Sequence, residues 1–231
     1  MKRISFFASG EFISGLALLL IFTSKPGTMQ SAHTLLCLGD SYTIGESVLT
    51  SENFPNQTIN LLRKDGYAFD DPEIVAKTGW TTDELQYAID NHSFKDSYDF
   101  VTLLIGVNNQ YRGRTVEEYR SQFESLLKQA IQFAHGKAEH VIVLSIPDWS
   151  VTPFAKDGDA HQISIEIDNY NSANKAIAES YKVGYIDITP ATREALHDRS
   201  LIASDGLHPS AKEYTEWSER FSFLVKSLIK Q

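Results

Sequence analysis

From Thr34 onward, short apolar runs alternate with longer segments whose apolar residues recur three and four positions apart. The runs are "TLLCLG", "EIVAKTG", "YDFVTLLIGVNN", "HVIVLSIPDW" and "VGYIDIT". Each is strand length and rich in branched side chains, so five strands are expected. The third is apolar without alternation, as in a strand buried on both faces. Between the runs lie helical patterns. "SENFPNQTINLLRKDG" ends at Gly66, and "TTDELQYAIDNH" opens on a capping threonine with acids in its first turn. "TVEEYRSQFESLLKQAIQFA" sets Val116, Tyr119, Phe123 and Leu126 on one stripe. "IDNYNSANKAIAESY" is a further helix, reached through a surface loop over Ser150 to Gln162. The last helix follows Pro209, placed in its first turn, with Tyr214, Trp217, Phe221 and Leu224 along one side.

Strand–helix alternation of this kind predicts one α/β domain, residues 32–231. It is a three-layer α/β/α arrangement around a mainly parallel five-stranded sheet, flavodoxin-like in class. Ligands in such sheets bind outside the carboxyl ends of the strands. Ser41, Gly79, Asn108 with Asn109, and Asp148 with Trp149 each follow a run, so all are expected on one rim.

The first 31 residues read differently. Lys2 and Arg3 precede an apolar stretch densest in "FISGLALLLIF", the charged and apolar regions of an export signal. The dense part is shorter than the roughly 18 residues of a spanning helix. The expectation is an exported protein, periplasmic or secreted, whose segment is either removed or kept as a membrane tether. A net charge of −9 argues against a nucleic-acid partner, whose footprint would be basic. The single cysteine, Cys37, excludes an intrachain disulfide and reads as a buried core thiol. The seven histidines show no H-x-x-H or H-E-x-x-H spacing, and neither a metal nor a cofactor is expected.

Candidate chemistry begins where the first run stops against Gly39, Asp40 and Ser41. A lone serine there is ordinarily a helix cap, and Asp205 with His208 in "DGLHP" is ordinarily a polar turn. Together they supply a nucleophile, a base and an orienting acid. An aspartate three residues before a histidine can fold back onto Nδ1, leaving Nε2 to take the serine proton. The G-x-S-x-G elbow is absent from the sequence. Four ordered blocks instead resemble the GDSL esterases and lipases, or SGNH hydrolases. "GDSY" carries Tyr42 in the namesake leucine position, and "KTGWTTDEL", "IGVNNQ" and "DGLHP" follow in family order. Asn109 stands where the family usually has aspartate.

That resemblance implies Ser41 as nucleophile, His208 as base and later acid, and Asp205 as its orienting carboxylate. It implies an oxyanion hole from the N–H groups of Ser41 and Gly79 and the amide of Asn108. Trp80, Tyr111, Trp149 and Phe154 follow strand ends or lie in the long loop, where they either wall a substrate pocket or pack in the core. The expected activity is hydrolysis of small carboxylic esters, short acyl or acetylated sugar, through an acyl-enzyme. A lysophospholipid esterase, a metal-dependent phosphoesterase using Asp40, Asn108 and His208, and a non-catalytic carbohydrate-binding domain are the rivals. A nucleotide-binding domain is disfavoured, since no phosphate-binding glycine motif follows a strand.

Overall fold

The computed structural model describes residues 31–230, together with Met1 and Ser5. The expected export segment therefore lies almost wholly outside the described residues. Five strands, β1 (Leu35–Asp40), β2 (Glu73–Lys77), β3 (Phe100–Leu104), β4 (Val141–Leu144) and β5 (Gly184–Ile186), form one parallel sheet in the order β2-β1-β3-β4-β5. Every residue of β1, β3 and β4 is buried, whereas the edge strands β2 and β5 are only partly so. Central strands of a sheet covered on both faces have no solvent side, which is why their sequences do not alternate.

The chain leaves β1 toward one edge, then steps back over it and proceeds to the other. Right-handed crossovers in opposite directions put their helices on opposite faces. Accordingly α2 (Phe54–Lys64) packs with α8 (Ala211–Ile229), while α5 (Val116–Phe133) packs with α3 (Thr82–Asp90) and α6 (Ala160–Tyr181). The reversal falls between β1 and β3, and the crevice beyond their carboxyl ends is the ligand-binding position of such sheets. Cys37 is a core thiol as expected. Burial pushes it up to about 12, so it stays an unreactive thiol.

Three short helices carry no periodic signal and were not expected: α1 (Ser41–Ile44), α4 (Val107–Tyr111) and α7 (Thr189–Arg193). Two boundaries also differ. The segment read as a surface loop contains two 3-10 turns, Trp149–Val151 and Pro153–Asp157, and α6 already begins at Ala160. Asp159 caps α6, and Ile163 and Ile167, one turn apart, are both buried, so packing extends that helix toward its start. Pro209 lies ahead of the last helix rather than in its first turn, because Ser210 accepts the Glu213 N–H and takes the cap position.

Candidate active site

Gly39 shows why the first block opens with glycine. A Cβ there would stand 2.1 Å from Thr43 Oγ1 and 2.5 Å from the Leu104 carbonyl oxygen. Only a residue without a side chain lets the chain turn directly from β1 into α1 with β3 alongside. The cap of α1 is Asp40, whose carboxylate accepts the Tyr42 N–H at 3.0 Å. Ser41 is consequently the first residue of the helix and not its cap, which leaves its hydroxyl free for other work.

That hydroxyl donates to His208 Nε2 at 2.9 Å. The other ring nitrogen, Nδ1, stands 2.5 Å from Asp205 Oδ2. A carboxylate only accepts, so Nδ1 carries the proton and Nε2 is left as an acceptor. Asp205 is held in turn. Its Oδ1 accepts the N–H groups of Leu207 and His208 at 2.9 and 3.0 Å, and its Oδ2 also accepts the Ser47 hydroxyl at 2.8 Å. Partial burial works to raise the Asp205 carboxyl, but the bonds from His208, both N–H groups and Ser47 outweigh it and hold it at about 2. Ser41 and His208 are buried, at 3% and 6% exposure. The arrangement can activate a hydroxyl for attack on an electrophilic carbonyl.

The candidate donors for a developing oxyanion lie on two neighbouring loops. Gly79 adopts φ +84°, a conformation that favours glycine. The loop that carries it is pinned at three consecutive residues. Thr78 donates to Glu46, the Gly79 carbonyl accepts from Arg112 Nη2 at 2.7 Å, and the Trp80 carbonyl accepts from Asn108 Nδ2 at 3.0 Å. An amide nitrogen has two hydrogens, so Asn108 retains one for the cavity that it lines together with Ser41. Asn109 is fully buried, accepting the Thr82 N–H at 3.1 Å and donating to Thr82 Oγ1 at 2.7 Å. It ties α4 to the start of α3.

The cavity beside Ser41 measures about 80 Å³. Tyr111, Trp149 and Phe154 form an aromatic triangle on its wall, with ring centroids 5.5 to 6.0 Å apart. Trp149 is buried and fixed through Nε1 to Gln110 Oε1 at 2.8 Å, whereas Tyr111 and Phe154 are exposed at the mouth. Neither Trp80 nor Gly79 lines this cavity, and Trp80 is half-buried against the core. Sequence reasoning missed Ser47, Gln110 and Arg112. Arg112 lies just past the third block, where a donor could have been sought, but nothing local marks Ser47, whose partner is 158 residues away. Among the described residues, no group of three or more His, Cys, Asp or Glu side chains is placed to hold a metal ion.

The profile of the GDSL-like lipase/acylhydrolase family matches residues 37–215. The fold is similar to that of TesA, at 18% identity and a TM-score of 0.65, over 84% of this chain and 99% of that one. Axe2, an acetylxylan esterase from Geobacillus stearothermophilus, is 20% identical with a TM-score of 0.64, over 84% of this chain and 94% of its own. The psychrotrophic esterase EstA from a Pseudoalteromonas species, solved with monoethylphosphonate as inhibitor, is 15% identical with a TM-score of 0.61, over 86% and 100%. No curated protein matches the sequence.

Proposed function

Because the chain belongs to the GDSL-like lipase/acylhydrolase family and is a carboxylic ester hydrolase, we propose that it is a serine esterase for small esters, acting through an acyl-enzyme on Ser41. The observation that carries this reading is the continuous chain from Ser41 Oγ through the imidazole of His208 to Asp205, at 2.9 and 2.5 Å, on the wall of a cavity. In this mechanism His208 Nε2 takes the Ser41 proton as Oγ adds to the ester carbonyl. The imidazolium then returns that proton to the departing alcohol. Asp205, ionised across the neutral range, keeps the ring in the required tautomer and favours its charged form. Negative charge on the tetrahedral oxygen is met by Asn108 and by the N–H groups of Ser41 and Gly79, whose loop the three side-chain contacts hold still. Water attacks the acyl-enzyme by the same steps.

The size of the cavity supports a short acyl group, and the exposed rings of Tyr111 and Phe154 suit a flat or ring-shaped alcohol such as an acetylated sugar. The charged and apolar N-terminal stretch supports export, with the segment as signal or tether. The test is Ser41→Ala. It should lose nearly all ester hydrolysis and all labelling by a fluorophosphonate, and a variant that still labels fully would remove Ser41 from the role.

A further inference from the structure

Two cavities meet at His208. The outer one, of about 80 Å³, contains Ser41 and Asn108 and opens between Tyr111 and Phe154. The second, of about 20 Å³, extends among Ala195, Leu201, Ile202, Thr192 and Glu213. Tyr42, Trp149, Leu207 and His208 line both, so together they form the partition between them. Three of these four are held by hydrogen bonds. His208 is bound by Asp205 and Ser41, Trp149 by Gln110, and Leu207 through its N–H by Asp205. The side chain of Tyr42 is held by packing. It is buried to 3% exposure, and its ring lies against the imidazole with centroids 5.0 Å apart and planes at 54°.

Tyr42 is also where this chain departs from the motif that gives the family its name, reading G-D-S-Y for G-D-S-L. The second cavity takes the aliphatic side chains of Ala195, Leu201, Ile202 and Leu207 on its wall, the character of an extension for an apolar group. Its two buried acids are Asp148, whose carboxylate is taken up by the Ser150 N–H, the Ser164 hydroxyl and Arg193, and Glu213. Glu213 Oε1 accepts from Trp217 Nε1, Oε2 has no partner, and burial raises the carboxyl, which favours the neutral form in contact with hydrocarbon. An extension behind His208, away from the mouth between Tyr111 and Phe154, suits the acyl half of the ester better than the alcohol half. The acyl group stays bonded to Ser41, next in the chain to Tyr42, whereas the alcohol must leave through the mouth.

We propose that Tyr42 sets the acyl-chain limit: its ring closes the ester cavity against the second cavity behind His208, and a side chain without the ring joins the two. This rests on Ser41 being the nucleophile. A ring-retaining replacement should leave the limit where it is, and a leucine should move it outward.

The experiment compares the wild type, Tyr42→Phe and Tyr42→Leu on p-nitrophenyl acetate, butyrate, hexanoate and octanoate, below their aggregation concentrations. Values of kcat/KM are normalised to acetate, which removes any loss common to all esters from the missing ring–imidazole contact. Tyr42→Phe should follow the wild-type profile. Tyr42→Leu should gain about fourfold for each of the one or two methylenes that enter the new space, the equivalent of ~0.8 kcal/mol per buried CH₂. Adding Ala195→Leu to Tyr42→Leu refills the second cavity and should abolish the gain. An active Tyr42→Leu with the wild-type profile, a gain that survives Ala195→Leu, or a wild type already favouring octanoate would each overturn the proposal. If Tyr42→Leu does not fold, Tyr42→Met makes the same test with a flexible side chain. Ser41→Ala run beside these separates the two ideas, since its retained activity would count against the nucleophile alone.

Discussion

Asp40 and Asp205 lie on either side of the Ser41–His208 pair, yet their environments drive them in opposite directions. Burial pushes Asp40 up to about 7, only partly offset by backbone N–H groups including that of Tyr42, while Asp205 is held at about 2. Between pH 4 and pH 7 the native chain keeps an Asp40 proton that the unfolded chain has already released. Stability from this group is therefore fully present below about pH 4 and falls as pH rises through 7, by an amount on the order of 4 kcal/mol. Asp205 has the reverse sign, contributing above about pH 4 and losing its contribution as pH falls toward 2. Asp40→Asn keeps a capping oxygen for the Tyr42 N–H and removes the ionisation. Urea midpoints at pH 4.5, 6 and 7.5 should fall less steeply in Asp40→Asn than in the wild type, and parallel slopes would contradict the assignment. Asn108 allows a second test at this scale. Asn108→Ala should lower kcat by about 10²–10³, the usual cost of one oxyanion donor, with the melting transition kept. An unchanged kcat would take Asn108 out of the oxyanion hole.

Short elements and the loops between them decide how still the site is held, and the sequence announces them least. Strands β1, β3 and β4 were legible as uninterrupted apolar runs, and α5 and α8 as stripes, because burial imposes a period that a window of residues can register. Helices α1 and α4, at four and five residues, are too short to show a period, although they carry Ser41 and Asn108. The motif blocks marked those residues where periodicity could not. Contacts such as Ser47 with Asp205, or Arg112 with Gly79, depend on which loops the sheet order brings together, and no local pattern encodes that. Arg112 gives the element-scale prediction. Its ion pair with Glu84 is at the surface and worth about 0–1 kcal/mol, whereas its bond to the Gly79 carbonyl pins the loop that carries a proposed donor. Arg112→Ala should lower kcat by up to about 10² with melting nearly unchanged, and equal losses of both would make it a stability residue instead. Asn109→Asp should be mild. A carboxylate can accept both the N–H and the hydroxyl of Thr82, and Gln122, which now accepts from that hydroxyl, can turn its amide to donate. Kinetics of Asn109→Asp beside Asn108→Ala check this, and a costlier Asn109→Asp would mean that the third block is aligned wrongly.

For the whole molecule, the sheet order explains why the site occupies a crevice rather than a tunnel. Loops after β1, β2, β3 and β4 reach one rim, and among the described residues no long insertion rises over them. The segment after β4 lies down instead, its Phe154 N–H donating to the Gly206 carbonyl beside the Asp205–His208 turn. Acetyl to butyryl esters should accordingly give the highest kcat/KM and long-chain esters should lag. A maximum at long chains would point to the lysophospholipid alternative. The same rim draws together the two ends of the folded domain. The hydrogen bond between Ser41 and His208 closes a loop of 167 residues, which takes in four of the five strands. A growing chain thus carries Ser41 almost from the start but can bring it to His208 only after all five strands have been made. With Ser41 and His208 in the proposed roles, turnover becomes a clock for the closing of that loop. A collapsed chain with most of its helices and strands formed, but with Ser41 and His208 still apart, would on that proposal be chemically silent.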